Sequence, residues 1–116
     1  MTDQYYAIAY SPVDIGGDGA VVATVRLSGE FDLGACEDLH AAVRRVVAGA
    51  RARSIVVDLT EVTFIDAATV GVLFSGYVTA QQQRKNFWVA GARGPVQRVL
   101  AVLDATRLLQ RCRLYS

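Results

Sequence analysis

Residues that catalyse reactions or bind metals are scarce in this sequence. It contains one histidine, His40, and two cysteines, Cys36 and Cys112, which lie far apart. One histidine cannot supply the convergent ligands of a zinc site or serve a serine or cysteine triad, and no glycine-rich phosphate loop is present. We therefore expect no metal, no cofactor and no enzymatic activity. Two separated cysteines do not indicate a disulfide framework, so we expect both to be reduced thiols.

Excess charge and long apolar runs are also absent. Twelve basic side chains stand against eleven acidic ones, and the basic ones are dispersed along the chain. Nucleic-acid binding requires a clustered basic face, so we expect no nucleic-acid partner. No apolar stretch approaches the roughly twenty residues that cross a bilayer, and the N-terminus lacks the features of an export signal. We expect a cytoplasmic protein with no membrane partner.

The chain contains enough apolar residues for one folded domain. Of its 116 residues, 53% are hydrophobic, and no linker, internal repeat or low-complexity segment divides them. We therefore treat residues 1–116 as a single domain.

The hydrophobic periods predict alternating strands and helices. Period-two alternation indicates a strand over 20–29, while a helical stripe begins near Ala35 and another follows Asp66. The predicted order, with numbers from the sequence, is strand 4–10, loop 11–19, strand 20–29, helix 35–50, strand 54–59, helix 67–83, strand 86–91, a helix opened by Pro95, and a tail that reads equally as short helix or strand. This order predicts an α/β fold with a mixed sheet of four to five strands. An N-terminal antiparallel pair precedes the parallel strands, and the helices pack mainly on one face.

The segment "TFIDAATVGVLF", residues 63–74, places Asp66 between a strand and a helix. There its carboxylate can accept the backbone N–H groups of Ala68 and Thr69, and such a helix cap requires no function. The helix, however, has no charged residue from Ala67 to Gln83. One of its faces is small and uncharged, which fits either a docking surface for another protein or cover by the domain itself; its members are Ala68, Val72, Ser75 and Thr79.

Two further acidic residues fall in the predicted turn before the first helix. These are Glu30 and Asp32, in "LSGEFDLGACEDL". Asp32 reads either as a second helix cap or as a neighbour of Asp66, because the loops that follow parallel strands gather along one edge of a sheet.

Several of these segments resemble the STAS domain of anti-sigma-factor antagonists. The resemblance rests on "LSGEFD", on "IVVDLTEVTFIDAATVGVLF", on a following strand that ends in glycine, and on a helix that opens "GPVQRVL". It covers the chain from about Val21 onward. Asp104 stands where the family usually has a glycine after the third helix, and aspartate tolerates the left-handed backbone conformation better than most residues do.

The resemblance implies a bacterial protein that binds an anti-sigma factor, usually a kinase with an ATP-binding fold, and so releases a sigma factor for transcription. In that family the kinase phosphorylates the serine after the aspartate and breaks the complex. Ala67 occupies that position here, Ala68 replaces the next small hydroxyl residue, and Thr69 stands where glycine is common. The expected binding residues are Glu30, Asp32, Asp66, Ala67, Ala68, Thr69, Val72 and Ser75.

Three interpretations of this altered segment stay open. The one we favour is a domain that binds its partner without a phosphorylation switch at Ala67. In the second, Thr69 replaces the missing acceptor, although its hydroxyl points in another direction than a side chain at 67. In the third, the partner is not a kinase, and the chain is an accessory or scaffold STAS domain of a signalling complex or transporter assembly. The sequence leaves self-association open.

Overall fold

The computed structural model describes residues 5–11, 14–15, 21–49 and 52–109. Within these residues, the predicted elements occur in the predicted order, and one additional two-residue strand, Asp14–Ile15, lies where a loop was predicted. The elements are β1 Tyr6–Tyr10, β2 Asp14–Ile15, β3 Val21–Phe31, α1 Cys36–Ala48, β4 Ser54–Ile65, α2 Ala67–Gln82, β5 Asn86–Ala90 and α3 Gly94–Val102, with 3-10 turns at Leu33–Ala35 and Thr106–Leu109.

The sheet has the mixed topology that the sequence predicts. Its strand order is β1-β3-β4-β5, and the two-residue β2 also pairs with β3. β1 and β2 run antiparallel to β3, whereas β3, β4 and β5 are mutually parallel neighbours. The α/β prediction, with an antiparallel start followed by parallel strands, is confirmed.

The three helices share one hydrophobic core with alternate positions of the strands. Leu39 of α1, Leu73 of α2 and Leu100 of α3 are fully buried in the same cluster as Val25 and Val57. The opposite face of the sheet is more accessible, and it carries an ion pair in which Arg26 Nε lies 3.8 Å from Asp58 Oδ2. The prediction that the helices pack mainly on one face of the sheet is thus also confirmed.

Two strands are longer than predicted. β3 continues through Phe31 and β4 continues through Ile65, because the pairing between them shifts register twice instead of ending. Each shift adds an extra residue to β4, so polar residues that suggest a loop are kept within the ladder. Glu30, predicted in a turn, therefore lies in β3.

Smaller differences concern single residues and the tail. Val78, predicted on the buried stripe of the second helix, is 48% exposed, and Gly76 and Ala80 are buried in that helix instead. Asp104 has the expected left-handed conformation, with φ 55°. The tail begins as a 3-10 turn, and its remainder lies outside the described residues, as do most of the predicted loop 11–19 and Cys112. Cys36 is a free thiol.

The single lysine of the chain holds the end of α1. Lys85 is buried, and its Nζ donates hydrogen bonds of 2.6 Å to the carbonyl oxygens of Val47 and Gly49. These carbonyls lie where a helix leaves its last acceptors unsatisfied and where a positive charge is favoured. Lys85 thereby joins the connection between α2 and β5 to the end of α1.

Replacing the two glycines of α2 by alanine should change the stability of the fold in opposite directions. A Cβ at Gly76 would clash with Val43 Cγ1 and lie 3.2 Å from the ring of Phe87, whereas a Cβ at Gly71 would meet nothing within 4 Å. We expect Gly71→Ala to stabilise the fold by about 0.5–1 kcal/mol through helix propensity. Gly76→Ala should destabilise it by about 1–3 kcal/mol because α1 and α2 must separate.

Urea denaturation of the two variants measures both free energies of unfolding, and each variant serves as the other's control. Stabilisation by both alanines would contradict the close packing of α1 against α2 at Gly76.

Candidate docking surface at the start of the second helix

Asp66 forms the cap that begins α2. Its backbone is extended, with φ −118° and ψ −179°, and its Oδ1 accepts the backbone N–H of Thr69 at 2.9 Å. Of the two backbone N–H donors predicted from the sequence, Ala68 and Thr69, the Thr69 N–H thus makes the cap bond. A carboxylate at this end also complements the positive end of the helix dipole, so the helix starts directly at Ala67.

Thr69 ties this helix start to the neighbouring strand. Its side chain is fully buried, and its Oγ1 lies 2.9 Å from the carbonyl oxygen of Phe31 and 2.9 Å from Asp66 Oδ1. One hydroxyl proton is shared between these two acceptors, and Cys36 Sγ lies 4.0 Å from the same oxygen. A phosphoryl group could reach this oxygen only after the helix start had separated from β3.

The other predicted residues of α2 remain accessible to different degrees. Ala67 and Ser75 are exposed, while Ala68 and Val72 are partly buried. The face is uncharged, so a partner could cover it without leaving a charge unpaired. The structure therefore places four of the predicted residues on an accessible helix face and turns Thr69 inward.

An apolar groove that the sequence analysis did not identify continues from this face. It has a volume of about 460 Å³ and runs between the start of α2 and α3. Val102 and Leu103, on its α3 side, are 81% and 40% exposed. The available signal was the run "VLAVL" at 99–103, which has more apolar residues than one buried stripe can hold. The groove is lined by Ile65, Asp66, Ala67, Pro95, Arg98, Val99, Val102 and Leu103.

Asp32 and Asp66 occupy equivalent positions on adjacent strands. They directly follow Phe31 and Ile65, which are paired in the β3–β4 register. Asp32 caps the 3-10 turn, with its Oδ1 2.9 Å from the N–H of Gly34. Both sequence interpretations of Asp32, as a cap and as a neighbour of Asp66 at the same sheet edge, agree with this arrangement.

Glu30 is separated from this group by the alternation of β3. Phe31 points into the core beneath the helices, so its neighbour Glu30 points to the opposite face of the sheet. The structure thus does not place the Glu30 side chain with the other candidate residues.

Two tyrosines hold the acidic residues around the first helix. The Tyr5 hydroxyl donates to Asp32 Oδ1 at 2.7 Å, and the Tyr6 hydroxyl donates to Asp38 Oδ2. The hydrogen bond to Asp32 raises the pKa of Tyr5, and the hydrogen bond to Asp38 raises the pKa of Tyr6 to about 12. Both phenols are therefore protonated donors at neutral pH. Tyr5 joins the start of β1 to the β3–α1 turn, and Tyr6 joins β1 to α1. Sequence periodicity gave no signal for these pairs.

No helix in the described part of the chain has the length and apolar character needed to cross a lipid bilayer. Among the same residues, no three histidine, cysteine, aspartate or glutamate side chains are grouped as a metal ion would require.

Comparison with known proteins identifies the domain type. The family model described as "Mlab, STAS domain" matches residues 18–110 of this chain. No curated protein sequence matches the chain.

Solved structures with a similar fold come from more than one kind of protein. The anti-sigma-factor antagonist SpoIIAA in its unphosphorylated form has a TM-score of 0.74 and 16% identity, covering 93% of this chain and 90% of its own. An anti-sigma-factor antagonist from Mycobacterium paratuberculosis has a TM-score of 0.73 and 24% identity, covering 90% and 82%. A sulfate transporter family protein from Wolinella succinogenes has a TM-score of 0.65 and 15% identity, covering 83% and 80%.

The buried hydroxyl of Thr69 gives a testable prediction for stability. Thr69→Val keeps the shape of the side chain but leaves the Phe31 carbonyl without this hydrogen bond, so we expect a loss of about 1–3 kcal/mol in the free energy of unfolding. Thr79→Val is the matched control. Its hydroxyl donates to the Ser75 carbonyl at the helix surface, 2.9 Å away, and its loss should cost less than about 0.5 kcal/mol. Equal losses in a denaturation experiment would contradict the role given to Thr69.

Proposed function

This chain belongs to the STAS-domain family, and we propose that it is an anti-sigma-factor antagonist. On this proposal it binds an anti-sigma factor with a kinase-like, ATP-binding fold and so releases a sigma factor for transcription in the cytoplasm of a bacterium. It is a binding protein and not an enzyme. The observation that carries the proposal is the exposed face at the start of α2, uncharged from Ala67 onward, which continues into the apolar groove beside α3. Two of the similar structures are themselves anti-sigma-factor antagonists, which supports the same assignment.

The start of α2 suits a protein partner because it is already ordered. Asp66 and Thr69 fix the first turn through side-chain hydrogen bonds, so binding would require little further ordering. Ala67 then projects from a neutral surface, and Val102 and Leu103 present apolar area nearby. We propose that the core of the interface comprises Asp66, Ala67, Ala68, Val72 and Ser75, with Asp32 at its rim.

We further propose that phosphorylation does not regulate this interface. Ala67 has no hydroxyl, and a phosphoryl group at this point would bring about −1.5 to −2 charges into a neutral contact. Thr69 is a poor substitute because its hydroxyl is buried and bonded to two acceptors. The chain would then correspond to a form that is always competent to bind.

A charge placed at Ala67 tests the location of the interface. We expect Ala67→Asp to abolish most of the capture of an ATP-binding-fold anti-sigma factor from the native cytosol, because the carboxylate would be desolvated without a partner. Gln82→Glu adds the same charge at the exposed far end of α2, and it should capture as much as the wild type. Captured proteins are identified by mass spectrometry. Equal capture by Ala67→Asp and the wild type would contradict the proposed interface.

Incubation of the same complex with ATP tests the absence of the switch. The wild type should keep its mass, whereas Ala67→Ser should gain one phosphate if the partner is an active kinase. A phosphate gained by the wild type and lost in Thr69→Ala would instead establish Thr69 as the acceptor.

The second candidate function is an accessory or scaffold domain of a signalling complex or transporter assembly. The similarity to a sulfate transporter family protein supports this second candidate. Capture of transporter subunits in place of an anti-sigma factor, in the experiment above, would support this alternative.

A further inference from the structure

The outer edge of β1 has no partner strand among the described residues. β1 pairs only with β3, and it forms the end of the sheet. Within that pair, the N–H of Glu30 donates to the Tyr5 carbonyl and the N–H of Ser11 donates to the Thr24 carbonyl. Because an antiparallel ladder alternates, Tyr5, Ala7, Ala9 and Ser11 direct their backbone groups towards β3. Tyr6, Ile8 and Tyr10 then direct theirs away from the sheet.

Residues 5–11 themselves lack the charges and the proline that usually prevent further pairing. The segment "YYAIAYS", residues 5–11, has no charged residue and no proline. Tyr5 and Tyr10 are 45% and 47% exposed. Native sheets usually block such an edge with charges, proline, bulges or a covering segment. An uncharged strand of this length is therefore suited to accept another strand.

The adjacent face of α1 carries charges in a self-complementary order. Asp38, Ala41, Ala42 and Arg45 fall at i, i+3, i+4 and i+7, and they line one groove of about 440 Å³ together with residues of β1. An acid lies at one end of this stripe, a base at the other, and two alanines lie between them. The one ion pair of the described residues joins Arg26 to Asp58, so Arg45 has no carboxylate partner among them.

We propose that two copies of this chain form a dimer through β1 and this α1 stripe, related by a two-fold axis. With the axis at Ile8, the β1 strands pair antiparallel, Ile8 faces Ile8, and Tyr6 of each copy faces Tyr10 of the other. The outward backbone groups of all three residues then bond across the interface. Reversal of the α1 stripe by the same two-fold brings Asp38 of each copy to Arg45 of the other. The Tyr6 hydroxyl occupies Asp38 Oδ2, which leaves Oδ1 free to accept from the arginine.

The outward groups of β1 and the charges of the α1 stripe indicate the same dimer independently of each other and of the proposed function. The alternation of the backbone alone identifies Tyr6, Ile8 and Tyr10 as the residues whose backbone groups point outward. The side-chain charges alone place Asp38 and Arg45 at opposite ends of the α1 stripe. None of these residues lies in the proposed anti-sigma-factor interface. A dimer of this kind therefore leaves the start of α2 free in both copies.

Charge-reversed variants test the proposal by complementation. Asp38→Arg puts two bases on the stripe, and Arg45→Glu puts two acids on it, so each variant should raise its own dimer dissociation constant by at least about tenfold. Mixed in equal amounts, the two variants should form a heterodimer, because every base then faces an acid. Arg44→Glu, an exposed change on α1 outside the stripe, should dimerise as the wild type does. Sedimentation equilibrium measures the wild type, the three variants and the mixture, and circular dichroism checks that each variant is folded.

Amide hydrogen exchange of the wild type tests the strand pairing without any mutation. As the protein concentration rises, the amides of Tyr6, Ile8 and Tyr10 should become protected, while those of Ala7 and Ala9 should be equally protected at every concentration. A wild type that stays monomeric up to about 1 mM would overturn the proposal. So would a dimer in which the mixed variants fail to associate, or one in which the three amides exchange independently of concentration.

Discussion

The start of the second helix is joined to the sheet by the hydrogen bonds of one buried hydroxyl. Thr69 Oγ1 reaches both the Phe31 carbonyl at the end of β3 and the Asp66 carboxylate at the end of β4. These two strand ends are adjacent in the parallel ladder, so the hydroxyl joins strand, strand and helix at one point. Because Thr69 is buried, water cannot substitute for these bonds, and the first turn of α2 is fixed relative to the sheet.

This constraint determines which side chains the helix presents to a partner. With Thr69 inward and Asp66 engaged in capping, Ala67 is the first side chain to project outward. The helix carries no charge along its length, so the projecting surface is neutral and continuous with the apolar groove beside α3. On the proposed function, this surface, which has no hydroxyl at Ala67, would keep the protein permanently competent to bind. The proposed dimer would use a different part of the domain, the edge strand β1.

Period and composition predicted the order of elements, the mixed sheet and the cap at Asp66, because these features follow from local patterns. The extension of β3 to Phe31 and β4 to Ile65 was not predictable, since two register shifts keep polar residues in the ladder. Because β3 includes Glu30, the alternation of the strand directs this side chain to the face opposite Phe31, whereas a turn was predicted there. The burial of Thr69 also depends on a tertiary contact with Phe31, which one sequence does not encode in any local pattern. The groove beside α3 was also not predictable, because it depends on how α2 and α3 are placed relative to each other.

We propose that a partner binds the neutral face at the start of α2. Heteronuclear NMR of the labelled protein, titrated with the anti-sigma factor that the wild type captures, would locate the bound surface residue by residue. The largest amide shifts should fall at Asp66, Ala67, Ala68 and Val72, and they should extend into Val102 and Leu103. Shifts confined to the open face of the sheet around Arg26 and Asp58, with residues 66–72 unchanged, would contradict it.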